Sequence, residues 1–379
     1  MDFAFTQEQE QIREAIAKIC TRFDDAYWLK KDKAGGFPSE LHQALAKDGW
    51  LGVAMPEEYG GSGLGITEAA VMMQAISESG AGFSGASAVH MNIFGLNPVV
   101  VFGNKSQKQR MLPPLIAGEE RACFAVTEPN TGLNTRSLKT KAVKKGKTYL
   151  VSGQKVWIST AQVAEKVLLL TKTDSGLTLF YTDFDRKKIE VREIPKMGRH
   201  AVDSNMVYFD NVEVPAADLI GKEGDGFKQI LHGMNPERIL VAAEAIGIGR
   251  AALAKATKYA RERVVFGRPI GQNQGIQHPL AQAWMQLEAA NLMVFKAATL
   301  YDKGEECGVV ANAAKYLAGE AAFQACQTAM MSMGGMGFAK EFHVERYLRE
   351  SFIPRIAPIS PHLIMNYIAE RVLELPRSY

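Results

Sequence analysis

Between residues 121 and 228 the spacing of apolar side chains changes, and that change limits the folds open to this chain. On either side of the region, apolar residues recur every three or four positions, as on one face of a helix. Within it they alternate, as along a strand. The runs KTYLVSGQKVWIST, AEKVLLLTKT, GLTLFYTDF, KIEVREI and NMVYFDNVEV are rich in Val, Thr, Tyr and Phe. Turn residues divide them (Gly153, Asp174-Ser175-Gly176, Asp210-Asn211). Strands that follow one another without helices between them build an antiparallel barrel or sandwich. The expected architecture is therefore α+β and multidomain. It has an N-terminal helical domain (1–120), a middle antiparallel β-barrel domain (121–228) and a C-terminal four-helix bundle (229–379).

The helical flanks carry their own signals. In FTQEQEQIREAIAKICTRF, Ile12, Ile16, Ile19 and Phe23 keep helical spacing, Thr6 is a suitable N-cap and Glu10 stands near the capping-box position. FPSELHQALAKDGWLGV repeats the pattern with Ser39 as cap, and the Gly-rich MPEEYGGSGLG reads as a loop. ITEAAVMMQAISES and SQKQRMLPPLIAGE are further helices. From about residue 226 the long helical patterns are rich in Ala, Leu and Met, as in tightly packed bundles, with Met as core filler.

A chain of 379 residues has room for two or three domains, and a formal net charge of +3 gives no argument for nucleic acid or an acidic membrane surface. Cys20, Cys123, Cys307 and Cys326 are scattered without a CxxC pair. They read as free, mostly buried thiols of a reducing compartment, and no metal site is expected. MDFAFTQEQEQIREA has neither the basic and apolar regions of a signal peptide nor the Arg-rich character of a transit peptide. No uninterrupted apolar run is expected to span a bilayer. The expectation is a cytoplasmic protein without membrane attachment.

HGMNPERILVAAEAIGIGR holds two glutamates, Glu237 and Glu244, in otherwise apolar surroundings. Seven positions apart, they share one helix face, roughly 10 Å from each other. A buried carboxylate is costly unless it is paired or has a task. One reading is structural. Asn235 and Pro236 look like an N-cap and a first helical position, an acid in a first turn suits the helix dipole, and Arg238 or Arg250 can pair with either glutamate.

The order of helices, β domain and bundle resembles the acyl-CoA dehydrogenase family over essentially the whole chain. Phe124-Ala125-Val126-Thr127-Glu128-Pro129-Asn130-Thr131-Gly132 is similar to the family's flavin-contacting turn, and Val156-Trp157-Ile158-Ser159 to its second flavin strand. Tyr259 to Gly267, followed by Gln274, resembles the segment that reaches a neighbouring subunit's FAD. Gly334-Gly335-Met336-Gly337-Phe338, with Val344-Glu345-Arg346 beyond, resembles the C-terminal glycine motif. The resemblance implies that Thr127 and Ser159 bond the flavin ring edge and Trp157 faces the isoalloxazine. Gly132, Gly334 and Gly335 would let backbone approach the pyrophosphate or adenosine, and Arg263 would hold a phosphate. Phe124, Val126, Leu133, Phe266, Gln274, Ser360 and His362 complete the implied FAD set. Leu133 stands where a small polar residue is usual, and Met331 where the family often has Gln.

The implied reaction is α,β-desaturation of an acyl-CoA thioester within fatty acid metabolism and β-oxidation. A carboxylate removes the α proton while the β hydrogen leaves as hydride to flavin N5. Many members carry that glutamate near the C-terminus, in a Tyr-Glu-Gly-Thr segment. Counting without gaps from Gly334-Gly335, its position here is Pro358, which cannot act as a base. A minority, including isovaleryl-CoA and long-chain dehydrogenases, place the base on a bundle helix just before an arginine, and Glu237-Arg238 matches. Glu237 is thus the expected base and Glu244 the runner-up, with Asn235 and Arg238 beside the acyl-CoA. Ala242, Ala243, Ala245, Gly247 and Gly249 are expected to leave room for a branched or medium-to-long acyl tail. Electrons are expected to pass to electron-transfer flavoprotein. Alternatives are an acyl-CoA oxidase using O2, a non-catalytic paralogue, or a nucleic-acid-binding flavoprotein of the same fold. Arg263 and Gln274 serving another subunit's FAD imply a homotetramer, a dimer of dimers.

Overall fold

The computed structural model describes residues 3–378, the side chain of Phe94 excepted. Helices α1 (Gln7–Cys20), α2 (Asp25–Ala34), α3 (Ser39–Lys47), α4 (Ile66–Ile76), α5 (Gly82–His90), α6 (Asn97–Phe102) and α7 (Lys105–Ile116) lead to the strands. These are β1 (Ala122–Ala125), β2 (Lys141–Lys145), β3 (Thr148–Ser159), β4 (Lys166–Thr173), β5 (Gly176–Asp183), β6 (Ile189–Glu193) and β7 (Ser204–Pro215). After them come α8 (Gly226–Glu262), the hairpin β8 (Val264–Val265) and β9 (Arg268–Pro269), α9 (Gln274–Asp302) and α10 (Gly308–Met333). Short helices α11 (Gly335–Phe338), α12 (Val344–Glu350), α13 (Ile353–Ile356) and α14 (Pro361–Arg371) end the chain. Two compact units result. A helical unit comprises Met1–Ala34, Gly65–Ala86 and Asn235–Tyr379, and a sheet unit comprises Gly35–Leu64 and Ser87–Met234.

In the sheet unit the strand order is β1-β4-β2-β3-β7-β6, with β5 beside β4. The sheet is mixed, where the sequence led us to expect an antiparallel one. β1 runs parallel to β4, from Ala122 opposite Lys166 to Ala125 opposite Leu169. Side-chain alternation reports which face a residue takes and carries no information on strand direction. β4 is buried on both faces. Leu168 and Leu170 join Val99, Met111, Leu112 and Leu115 on one side. Val167 and Leu169 join Tyr149, Val151, Val207 and Phe209 on the other. That explains its unbroken apolar run.

One charge pair fastens the turn after β1 to β3. The wholly buried Lys155 Nζ donates to Glu128 Oε1 at 3.0 Å and to the Val126 carbonyl at 3.1 Å. Glu128 also accepts the backbone N–H groups of Lys139 (2.6 Å) and Thr140 (2.9 Å). Burial pushes the Lys155 ammonium down to about 8, against the pull of Glu128.

Several local expectations need correction. The capping-box partner of Thr6 is Gln9, the third helical residue, and not Glu10. Pro38 is the N-cap of α3, so Ser39 is its first helical residue. Asn235-Pro236 does not begin a helix, because α8 runs through both from Gly226. An interior proline forfeits one backbone hydrogen bond but looks, within a short window, like a first-turn proline. Arg250 pairs with Glu288 (2.7 Å) and, more loosely, Glu78 (3.6 Å), rather than with Glu237 or Glu244. The stretch Ile66–Phe102 is long and apolar enough to cross a membrane, contrary to the sequence expectation, and 65% of its apolar window is buried in the protein, as in a core helix.

In the helical unit α8 packs closely on its neighbours. A Cβ on Gly247 would stand 2.5 Å from the Gln74 carbonyl oxygen, and one on Gly249 would stand 2.7 Å from Leu287 and 3.2 Å from Ala322. Ala242, Ala243 and Ala245 are fully buried. The space expected here for an acyl tail is taken by α4, α9 and α10. The first turn of α4 is held by Asp302, whose carboxylate accepts the N–H groups of Ile66 (2.7 Å) and Thr67 (2.8 Å) and the Thr67 hydroxyl (2.5 Å).

Replacing Gly247 with alanine drives a methyl into the Gln74 backbone, which cannot swing aside as a side chain can. We expect Gly247→Ala to destabilise by about 1–3 kcal/mol, as a lower urea midpoint at unchanged slope. An unchanged midpoint would show that α8 and α4 separate without cost.

Candidate active site

The sheet unit brings the two flavin-like segments together. The Val156 N–H donates to the Thr127 carbonyl at 2.9 Å, so the turn and β3 lie side by side above the Lys155–Glu128 pair. The pairing of β3 with β7 then skips, from Lys155 opposite Val207 to Ile158 opposite Asn205. Within this bulge Trp157 has φ 61° and is 58% exposed, while Ile158 returns to the core. A bulky residue with positive φ is strained by about 1–3 kcal/mol, and such strain gathers at functional sites. Thr160 (φ 68°) and Arg199 (φ 56°) share the neighbourhood. The Arg199 guanidinium donates to the hydroxyls of Ser159 (2.8 Å) and Ser204 (3.2 Å), which orients Ser159. Sequence reasoning missed Arg199, since only its own left-handed backbone sets it apart.

Phe124 is half-buried and Val126 buried, while Gly132 and Leu133 are exposed. A Cβ at Gly132 would meet nothing within 4 Å. Beside the turn is a groove of about 330 Å³ lined by Asn130, Thr131, Thr140, Gly153, Gln154 and Tyr208. The buried Thr131 hydroxyl has no protein partner there. An outward aromatic face, backbone open to close approach and an orphaned hydroxyl fit a flat ring with a polar edge and a phosphate tail.

The helical unit carries the remaining cofactor candidates. At the tip of the β8–β9 hairpin Phe266 (φ 52°) and Gly267 (φ 76°) are both left-handed, and the Phe266 side chain is 100% exposed. Arg263 and Gln274, at the two ends of this excursion, are exposed. Gly334 (φ 58°) caps α10, and a Cβ on it or on Gly335 would meet nothing within 4 Å. Trp284, Met285, Met331 and Phe338 are exposed on the same unit. Ser360 is the N-cap of α14, accepting from the Leu363 N–H at 3.3 Å, and His362 beside it is exposed.

Both glutamates of the opening puzzle are buried, Glu237 at 7% and Glu244 at 1% exposure. The Glu244 backbone carbonyl accepts from the Ser77 hydroxyl at 2.7 Å. Arg238 Nη1 donates to Asn235 Oδ1 at 3.0 Å. Burial lowers the Arg238 guanidinium below its ordinary value, against the pull of Glu237. Across from them, on α10, stands Lys315, fully buried, its Nζ donating to the Ile359 carbonyl at 2.6 Å. Burial pushes this ammonium down to about 8, and Glu237 is the charge that most opposes the fall. Lys315 therefore joins the surroundings of Glu237 to the segment that holds Pro358. Sequence reasoning passed over it; the available signal was a lone cation in the alanine-rich ANAAKYLAGEAA.

The sequence matches the acyl-CoA dehydrogenase N-terminal domain over residues 6–119, the middle domain over 123–212 and the C-terminal domain over 224–373. It is 37% identical to the acyl-CoA dehydrogenase FadE12 of Mycobacterium tuberculosis, over 100% of this chain and 99% of that protein. Among solved structures, butyryl-CoA dehydrogenase from Megasphaera elsdenii is 29% identical with a TM-score of 0.94, covering 98% of this chain and 100% of that one. A chain in the structure of the electron transferring flavoprotein of Acidaminococcus fermentans is 30% identical with a TM-score of 0.94, covering 99% and 100%. With all three domains matched in order and a full-length relative above 30% identity, the chain belongs to the acyl-CoA dehydrogenase family and is an oxidoreductase acting on acyl-CoA.

Proposed function

We propose that the protein desaturates an acyl-CoA thioester between Cα and Cβ, with FAD as cofactor and Glu237 as the base that takes the α proton. The carrying observation is the placement of Glu237. It is a buried carboxylate on α8, beside Arg238, and it acts on Lys315, which is bonded to Ile359 next to Pro358. The residue at the family's usual base position is a proline, and a buried carboxylate stands on another element of the same unit. Bound FAD would supply the acceptor for the β hydrogen. The protein's part is to place the carboxylate and to keep bulk water from the reacting atoms. Trp157, the Ser159 hydroxyl oriented by Arg199, Thr127 and the open backbone at Gly132 would hold the flavin.

The base on α8 aligns this chain with the isovaleryl-CoA and long-chain subgroup, and we assign a branched or medium-to-long acyl chain on that ground. The tail must lie elsewhere than at Gly247 and Gly249, where α4, α9 and α10 leave no room. Electron-transfer flavoprotein is the proposed acceptor, in line with the similarity to a chain in such a protein's structure. We further propose a homotetramer. The fully exposed Phe266, the exposed Arg263 and Gln274, and the apolar Trp284 and Phe338 suit burial against a second copy.

Four outcomes are expected. Mixed anaerobically with straight and branched acyl-CoAs, the yellow protein should bleach with its substrates. Glu237→Gln should keep FAD yet reduce about 100-fold slower or worse; bleaching at the wild-type rate would remove Glu237 as the base, and rapid oxygen uptake would favour an oxidase. Trp157→Gly relieves the left-handed strain, so the FAD-free protein should keep its urea midpoint while its flavin content falls. A sharply lower midpoint would show instead that Trp157 is a core residue. Phe266→Asp should sediment as a smaller species and release FAD, and an intact, fully yellow oligomer would argue against the role of the hairpin.

A further inference from the structure

We infer that Arg199 is a positioning residue that tunes the flavin: by donating to Ser159 Oγ it turns the hydrogen of that hydroxyl toward the ring edge, and so favours the reduced cofactor over the oxidised one. The inference rests on the reading that Ser159 meets the flavin, and it adds the residue that dictates how.

Ser159 and Ser204 stand directly opposite each other on β3 and β7, which puts both side chains on one face of the sheet. One nitrogen, Arg199 Nη2, donates to both hydroxyls, at 2.8 and 3.2 Å. Nη1 donates to the Ser87 hydroxyl of α5 at 3.3 Å. The guanidinium thus bridges three elements, a task for which its planar fork is preorganised. It does so from a left-handed backbone (φ 56°), which is costly for any side chain. A chain indifferent to the side chain at 199 would carry glycine there. A guanidinium has five N–H donors, no acceptor, and a charge that it keeps at any working pH. Ser159 Oγ therefore accepts from it, and the Ser159 hydrogen is directed elsewhere. Ser204 is buried and Ser159 half-buried, so of the two hydroxyls on Nη2 it is Ser159 that is open to a ligand. Asp203, the nearest carboxylate in sequence, accepts from the Gln162 N–H (3.0 Å) and from the Asn205 side chain. A hydroxyl that accepts from a cation is a stronger donor in turn, because the two bonds polarise one another. Reduction adds electron density to a flavin ring, so such a donor at its edge binds the reduced ring more tightly than the oxidised one.

Removing the cation should therefore lower the reduction potential of the bound flavin. Arg199→Met should weaken binding of the reduced flavin relative to the oxidised by about tenfold, which is about 30 mV for a two-electron couple. Ser159→Ala should lower the potential by a similar amount. Because Arg199 acts through Ser159, the double variant should fall no further than the larger single shift. Arg199→Lys, also a cation that can only donate, should keep the wild-type potential. All these residues carry a Cβ, so the backbone strain at 199 is common to the set.

The experiment is anaerobic equilibration of the FAD-bound protein with a reference redox dye, followed by visible absorbance and without acyl-CoA. Where a variant releases FAD, separate titrations of its FAD-free form with oxidised and reduced FAD give the same ratio. Arg199→Met at the wild-type potential, beside a lowered Ser159→Ala, would overturn the inference alone. Shifts that add in the double variant would overturn it too, since Arg199 would then act without Ser159. So would an Arg199→Lys potential lowered as far as that of Arg199→Met. Loss of the urea transition in Arg199→Met, with Arg199→Lys folded, would assign Arg199 to the fold and overturn it as well. Ser159→Ala at the wild-type potential would sink the underlying reading of Ser159, and the inference with it.

Discussion

The sheet unit depends on a charge pair that water does not reach. Taking Lys155 and Glu128 out of solvent costs several kcal/mol for each ion, and the cost is offset only if nearly every donor and acceptor is used. Here it is: Lys155 serves Glu128 and Val126, while Glu128 also takes the N–H groups of Lys139 and Thr140. The turn after β1 has one position in which those bonds all form. That position sets Thr127 against Val156, and the bulge that follows turns Trp157 outward. A flat apolar surface, the one we propose for the flavin, is thus fixed by buried polar atoms next to it.

The helical unit repeats the device with a different purpose. Small residues on α8 bring its backbone close to α4, α9 and α10, and the resulting dense core leaves few places for polar groups. Those present are paired across elements: Arg250 with Glu288, Asp302 with the start of α4, Lys315 with Ile359. Two lysines, one in each unit, are pushed to about 8 by burial with a glutamate as counter-charge. In the sheet unit the pair takes part in four hydrogen bonds and acts as a fastener. In the helical unit the ammonium is anchored to the Ile359 carbonyl, and the buried glutamate of α8 is the one we propose as the base.

What could be read in the sequence was periodic and local. The switch from helical to strand spacing located β3 to β7, and the family motifs picked out the turn at Thr127, the bulge at Trp157 and the hairpin at Phe266. What could not be read was set by partners far along the chain. The parallel pairing of β1 with β4 leaves no mark in either strand's alternation. Arg250 finds Glu288, 38 residues away, over two nearer glutamates. Gly247 and Gly249 read as room for an acyl chain, and helix backbone and side chains fill that room instead. Asn235-Pro236 looked like a helix start because the turns before it, which make it an interior position, lie outside a short window.

Asp302 has a consequence for the nascent chain. It supplies the carboxylate that completes the first turn of α4, yet it is made 236 residues after Ile66. At ribosomal speeds that delay is on the order of ten to fifty seconds. Until then the cap of α4 is Glu68 alone, which accepts the Gly65 N–H at 3.0 Å, and the helical unit's third segment begins to appear only at Asn235. The apolar α4 can thus pack on α1 as soon as both are made, while the side that α8 and α9 cover stays open to solvent until the third segment is synthesised.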